Sequence, residues 1–289
     1  MKKDLLLHLQ SLRGIAALII VFHHSKSLSS NLAQNDFMAN SSLAVDFFFV
    51  LSGFVIALNY QHLLIKFYEI KNFIKKRFFR LYPLHIILLI IYLAIEILKY
   101  FLDYYTGIKS NEPPFSVSNF YTFFTNLFLI QGIIDNQLSY NEVSWSVSFE
   151  FYTYIIFALI IFLIRNKILF YLLIITLTII SFIYVYKLDL MENTNGIAFL
   201  RCTYSFFLGT LIYRLNILIK NIDLSILEIP IFIITIYLFC YIPNTVFMPI
   251  IFGVLILTLN QTNKGAIKSI LKNSVLVFIG KISYSIYML

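Results

Sequence analysis

LQSLRGIAALIIVFHHSKSL, residues 9–28, is the stretch on which the fold turns. It is apolar over most of its length and long enough for a bilayer core, which takes about 20 helical residues to cross. It nevertheless carries Arg13 and His24, eleven positions apart. At about 100° per residue, eleven steps return a helix to within about 20° of its starting face, and at about 1.5 Å per residue they advance roughly 16 Å along the axis. Arg13 and His24 are therefore expected on one face, with His24 the deeper. An ionisable side chain in hydrocarbon costs at least ~2.5–3.5 kcal/mol unless it meets a partner or water, so a shared arginine and histidine face reads as a site. Two plainer roles stand beside that reading. Arg13 can snorkel to the membrane surface, and His24 can be a hydrogen-bonded packing residue.

The composition sets the solvent. With 60% hydrophobic and 12% charged residues over 289 positions and a mean hydropathy of +0.85, the chain has too little polar surface for a soluble globule. Thirty Phe, twenty Tyr and one Trp suit helices packed in lipid, and the alternating ten-residue segments of a barrel are missing from the sequence. The fold class expected is all-α, a polytopic transmembrane helix bundle. The start, Met1 to Asp4, is basic, and no small-residue cleavage pattern follows the first apolar run, so that run reads as a retained span. Cys202 and Cys240 lie in apolar segments far from any metal-ligand spacing. Both are expected as buried thiols, without a disulfide or a metal.

Apolar runs fall near residues 9–29, 43–62, 84–102, 146–164, 168–186, 197–213, 226–242, 246–260 and 274–289, with a shorter one at 120–134. Charge decides whether the short run crosses. With a cytosolic N-terminus and a non-crossing 120–134, the cytosolic loops and span ends collect sixteen of the twenty-two Lys and Arg residues. They include Lys2, Lys3 and Arg13, the run from Lys66 to Arg80, Arg165 and Lys167, Arg214 and Lys220, and Lys264, Lys268 and Lys272. A crossing at 120–134 would flip every later basic loop outward, against the positive-inside bias. Nine crossings plus one non-crossing helix are expected. No linker or internal repeat divides the chain.

Three further islands carry chemistry. Residues 71–83, KNFIKKRFFRLYP, interleave cations with aromatics. In a helix running to Pro83, Arg77 and Arg80 share a face at i, i+3 with Lys76 beside them. Guanidinium forks suit phosphate, and the same cluster also reads as a topogenic, lipid-headgroup anchor. In the second run, Asp46 lies at the outer end, with Ser52 and Gly53 deeper, a small pair that also permits close helix packing. Near the outer end of the 146–164 run, Trp145 and Ser146 precede Glu150, an acid within a span that needs a partner. His24, Asp46 and Glu150 are expected to meet in the outer leaflet, where a carboxylate would fix the imidazole tautomer and make His24 a base near neutral pH.

Taken together, these residues resemble the acyltransferase 3 family of membrane-bound O-acyltransferases. The resemblance rests on five islands in order: Leu12 to Ala17 with His24, Val45 to Phe54, Arg77 to Pro83, Trp145 to Glu150, and Gly280 to Tyr287. It implies a ten-helix bundle with both ends cytosolic, in a bacterial-type inner membrane. It also implies transfer of an acetyl or other short acyl group from cytosolic acyl-CoA, a co-substrate and not a bound cofactor, to a hydroxyl of an extracytoplasmic polysaccharide or glycan. Membrane lipids are the only further partners implied; no metal and no nucleic acid are. The family's motif residues map onto Arg13 and His24, onto Arg77 and Arg80, and onto Ser146 and Glu150. The family pattern usually continues through a His and one more crossing, whereas this sequence stops at Leu289. The expected organisation is thus a single domain over 1–289, truncated by its last helix.

The mechanism expected places the coenzyme A phosphates on Lys76, Arg77 and Arg80, with the pantetheine arm threading past Arg13. His24 is the general base on the acceptor hydroxyl, and Glu150 or Asp46 supports its imidazole, with Ser52, Trp145 and Ser146 around them. An acyl-histidine intermediate and an oxyanion-stabilising Arg13 are variants of the same scheme. Two other classes share His, Asp and Glu within spans: a proton-coupled small-molecule transporter and an inactive truncated remnant.

Overall fold

The computed structural model describes residues 6–24, 36–62, 66–135, 137–242 and 245–289. The retained start at Met1 to Asp4 and the charges of Lys2, Lys3 and Lys26 lie outside the described residues. Within them the chain is helical and has no strand. In order the helices are α1 Leu7–His24, α2 Asp36–Asn40, α3 Ala44–Tyr60, α4 Phe67–Thr106, α5 Phe120–Leu127, α6 Gln131–Ile134 and α7 Trp145–Leu163. There follow α8 Lys167–Lys187, α9 Phe199–Leu218, α10 Glu228–Tyr241, α11 Met248–Gln261, α12 Ala266–Ile270, α13 Ser274–Lys281 and α14 Ser283–Met288.

Five stretches among the described residues are long and apolar enough to cross a membrane: Ser41–Tyr60, Phe67–Thr106, Glu142–Leu163, Lys167–Lys187 and Gly196–Leu218. Shorter apolar helices cover Ser225–Tyr241 and Met248–Gln261. The apolar window of α3 is 72% buried, against 22% for α4 and 28% for α8, so α3 is the central helix while α4 and α8 face lipid. Small residues bring α3 and α9 together. A Cβ on Gly53 would lie 1.9 Å from the Phe206 carbonyl oxygen, and one on Gly209 would lie 1.9 Å from that of Val50. Backbone approach this close is how helices associate where no hydrophobic effect drives them together.

Among the described residues five stretches, not the nine expected, have the length and hydropathy of a crossing, and α1 is not one of them; three of the expected runs also take a different form. Residues 84–102 are the second half of α4, a single helix of 40 residues that begins in the basic stretch and runs through Pro83. Proline removes one helical hydrogen bond, but in lipid the remaining backbone groups have no water to turn to, so the helix continues. The Tyr284 hydroxyl donates to the Leu81 carbonyl beside the proline, 2.6 Å.

The run at 120–134 divides into α5 and α6, neither long enough to cross, which is the form the charge count favours. Asn119 caps α5 by accepting from the Thr122 N–H, 3.1 Å. The His85 ring meets the Asn126 carbonyl at 2.8 Å, and the Tyr82 hydroxyl donates to that of Leu127 at 3.1 Å, which pins the pair against α4. Just after α6, burial raises the Asp135 carboxyl above its ordinary pKa, partly offset by a hydrogen bond from Thr125.

The last run, 274–289, is not one helix. It breaks at Ile282 into α13 and α14 and climbs beside α1. At its foot, Ser11 Oγ donates to the Leu271 carbonyl. Higher up, a Cβ on Gly14 would lie 2.7 Å from the Gly280 nitrogen. At the top, Asn141 Nδ2 donates to the Met288 carbonyl, 2.9 Å. The bundle therefore has two ends. One gathers the loops that carry Lys66, Arg165, Lys220 and Lys264, called here the basic end; the other holds His24, Glu142 and Glu192.

Candidate functional site

In the core of the bundle a slot of ≈ 60 Å³ is lined by Arg13 of α1, Ser52 of α3, Arg80 of α4, Ser146 and Glu150 of α7, and Tyr284 and Tyr287 of α14. Helical spacing explains the α7 contribution, since Ser146, Glu150 and Tyr154 recur every four residues and share a face. Glu150 Oε1 accepts from Ser52 Oγ at 2.7 Å and from the Tyr154 hydroxyl, while Ser52 Oγ and that hydroxyl are 2.6 Å apart. Glu150 is thus held by two hydroxyls across the α3–α7 interface. Arg13 is half-buried, lines the same slot, and has no hydrogen bond among the described residues. Its charge faces the chamber that Glu150 and Arg80 share.

The three expected phosphate-binding cations separate. Lys76 and Arg80 are exposed, with Arg80 reaching the slot. Arg77 turns inward instead and donates to the Tyr60 hydroxyl at 3.0 Å. Its guanidinium lies 5.2 Å from the Tyr60 ring centroid and 5.9 Å from that of Tyr154. Cation–π contacts of this kind are worth more when desolvated. One Arg77 donor, Nε, is buried without a protein partner.

Beyond the slot, towards the other end, lies a recess of ≈ 550 Å³ lined by His23, His24, Glu142, Trp145, Glu192 and Arg201, among others. Val45 and Tyr287 line both chambers, so they form the partition. The Tyr287 hydroxyl is 2.6 Å from Ser146 Oγ and donates to the Val143 carbonyl at 2.9 Å.

The expected meeting of His24 with Asp46 and Glu150 does not occur. Glu150 is taken by Ser52 and Tyr154. Asp46, fully buried, pairs with Arg201: Nε donates to its two oxygens at 3.0 and 2.9 Å, and a second guanidinium nitrogen donates to Oδ2. Ser205 Oγ adds a bond at 3.2 Å, and the guanidinium rests over the Trp145 ring, 5.8 Å from its centroid. Two side chains of opposite charge at 1% and 0% exposure satisfy each other, because neither has water to turn to. Nor is His24 deep. It is the last residue of α1 and exposed within the recess. His23 lines the recess too, with Nδ1 2.7 Å from Ser41 Oγ, so direction around the helix does not separate the two histidines.

With this geometry in place, the sequence profile of the acyltransferase 3 family, described as an acyltransferase domain, matches residues 7–289. The chain belongs to that family. A protein named "Protein 2 in picA locus", from Rhizobium radiobacter, is 41% identical over 104 residues, 35% of this chain and 50% of that protein. The chain therefore spans about half the length of the curated relative it matches. No solved structure matches it.

Within this acyltransferase 3 domain, three residues with clear parts in the site escaped the sequence reading. Tyr154 lies four residues after Glu150 and was signalled by that spacing. Arg201, in an apolar run, was signalled by its need for a carboxylate. Tyr287 belongs to the terminal Ser-Tyr-Ser-Ile-Tyr island, but nothing in that pattern says the phenol reaches Ser146. Both thiols are free, Cys202 buried and Cys240 half-buried.

Proposed function

We propose that this integral membrane protein transfers a short acyl group, acetyl the simplest, from acyl-CoA on the basic, cytosolic side to a hydroxyl of a glycan on the opposite, extracytoplasmic side. The observation that carries the proposal is the pair of chambers meeting at Tyr287 and Val45. The recess has the volume of an ordinary small-ligand pocket, about 300–1,000 Å³, whereas the slot is far too small for a sugar ring and suits an acyl group at the end of a thin arm. Family membership supports the acyl chemistry, and the basic residues at one end support the nine-crossing orientation with that end in the cytosol.

In this reading the exposed Lys76 and Arg80 bind the phosphates of coenzyme A, Arg77, expected beside them, instead braces α4 against Tyr60 from within, and the pantetheine arm enters the slot past Arg13. The acceptor hydroxyl in the recess gives its proton to His24 as its oxygen attacks the thioester carbonyl. The tetrahedral intermediate then expels the coenzyme A thiolate, which takes the proton back from His24, leaving an ester on the glycan. Glu150 counters the charge of Arg13 and Arg80 and keeps the slot polar. Arg201 and Asp46 hold the wall of the recess behind Trp145.

The test is transfer of radiolabelled acetyl from acetyl-CoA to a glycan acceptor in membranes containing the protein. Alkali-labile label on the glycan is the expected product, abolished by His24→Ala at normal membrane levels. Loss on His23→Ala with retention on His24→Ala would move the base to His23, and absence of transfer to any hydroxyl acceptor would overturn the reading.

A further inference from the structure

Away from the slot, at the basic end, three cations from neighbouring segments converge. Arg165 in the α7–α8 turn, Lys167 at the start of α8 and Arg214 near the end of α9 line a recess of ≈ 400 Å³ together with Gln61, His62 and Tyr171. No Asp or Glu is among its described lining residues, and none of the three cations has an ion pair among the described residues. The wall is built. The Arg214 guanidinium lies over the Tyr171 ring, 5.2 Å from its centroid, and Gln61 Nε2 donates to the Tyr171 hydroxyl at 2.6 Å. That leaves Gln61 Oε1 buried without a partner. The first N–H groups of α8 are already capped by Asn166 Oδ1, at 2.8 and 3.3 Å, so the attraction for an anion comes from side chains and not from the helix end.

The recess opens into a groove of ≈ 530 Å³ between α8 and α9 that shares Lys167, Tyr171 and Arg214 with it. The rest of the groove is aliphatic, including Ile168, Leu172, Leu215 and Leu218. These side chains are open to lipid: Ile168 is 72% and Leu218 63% exposed. Neither chamber shares a lining residue with the Arg13 slot.

We propose that the recess and groove together bind one anionic phospholipid, with its phosphate on Arg165, Lys167 and Arg214 and an acyl chain along the α8–α9 groove. The shape selects this occupant. A soluble phosphate or nucleotide would use the cations and leave the adjoining aliphatic groove uncovered, and a choline headgroup would set a fourth cation among three.

The experiment is native mass spectrometry of the full chain released from nanodiscs of mixed phosphatidylglycerol and phosphatidylcholine. One phosphatidylglycerol is expected to survive activation that strips phosphatidylcholine. Its retention should be roughly a hundredfold weaker in the triple variant R165Q, K167Q and R214Q, three basic contacts being lost. Leu172→Trp, which fills the groove and keeps every charge, should also weaken it, and this variant carries the test if the triple variant folds poorly. Equal retention of the two lipids overturns the proposal. So does retention unchanged by both variants, or displacement of phosphatidylglycerol by inorganic phosphate with Leu172→Trp silent, which would assign the recess to a soluble phosphate.

Discussion

Asp46 is where the geometry departs most sharply from a catalytic reading, and a double-mutant cycle on Asp46 and Arg201 tests it. The carboxylate accepts from Nε and a terminal nitrogen of Arg201 and from Ser205, and neither charged side chain is more than 1% exposed. Asp46→Leu leaves the guanidinium buried without its counter-ion, and Arg201→Met leaves the carboxylate. Breaking a buried pair from one side costs about 3–5 kcal/mol, whereas replacing both partners by apolar residues of similar size is often close to neutral. Each single variant should therefore lose ~3–5 kcal/mol of stability, and the double variant should lose far less than their sum. The assay is denaturant unfolding of the purified full chain in a mild detergent, with acetyl transfer measured at a temperature where every variant stays folded. Single losses that add, or an Asp46→Leu variant stable to within ~1 kcal/mol that nevertheless abolishes transfer, would refute the buried-pair role. The second outcome would return Asp46 to the imidazole of His24.

Three more outcomes follow from the site. Glu150→Gln keeps acceptor and shape for Ser52 and Tyr154 but removes the charge facing Arg13 and Arg80, so transfer should fall by at least about tenfold with little loss of stability; unchanged rates would make Glu150 a packing residue. Tyr287→Phe removes the hydroxyl bonded to Ser146 and Val143 and should cost about 0.5–1.5 kcal/mol in unfolding assays while lowering transfer by more than that loss explains; full activity would deny the partition a chemical part. A reporter fused after Asn221 should be cytosolic and one after Asn111 extracytoplasmic, and finding both on one side would break the charge-based topology.

The helical class was legible because hydropathy and charge act residue by residue: a run of apolar side chains needs no partner to be driven into lipid. The forms of residues 84–102 and 274–289 were not, because they depend on neighbours. α4 continues through Pro83 where packing and lipid leave its backbone no alternative partners. The last run breaks at Ile282, where it must follow α1 past the Gly14–Gly280 approach and still bring Tyr287 to Ser146. Local pattern sees the proline and the apolar run, not the helix each one lies against.

Depth in the membrane is likewise a one-body property, and pairing is not. Their places in their runs set His24, Asp46 and Glu150 at similar depths, but sharing a leaflet is not meeting. Partners are chosen instead by which faces of α3, α7 and α9 are turned together. The Gly53 and Gly209 contacts lock α3 against α9, which delivers Asp46 to Arg201 and leaves Ser52 on the α7 side to bind Glu150. The spacing of Arg13 and His24 survives this correction in a changed sense. About 16 Å along one helix is too far for the two side chains to share one chamber of ordinary width, and the structure assigns them one chamber each, meeting at Tyr287 and Val45. On the proposed reading that separation keeps a donor arriving from one side of the membrane apart from an acceptor arriving from the other, where a single open chamber holding both groups would be a leak.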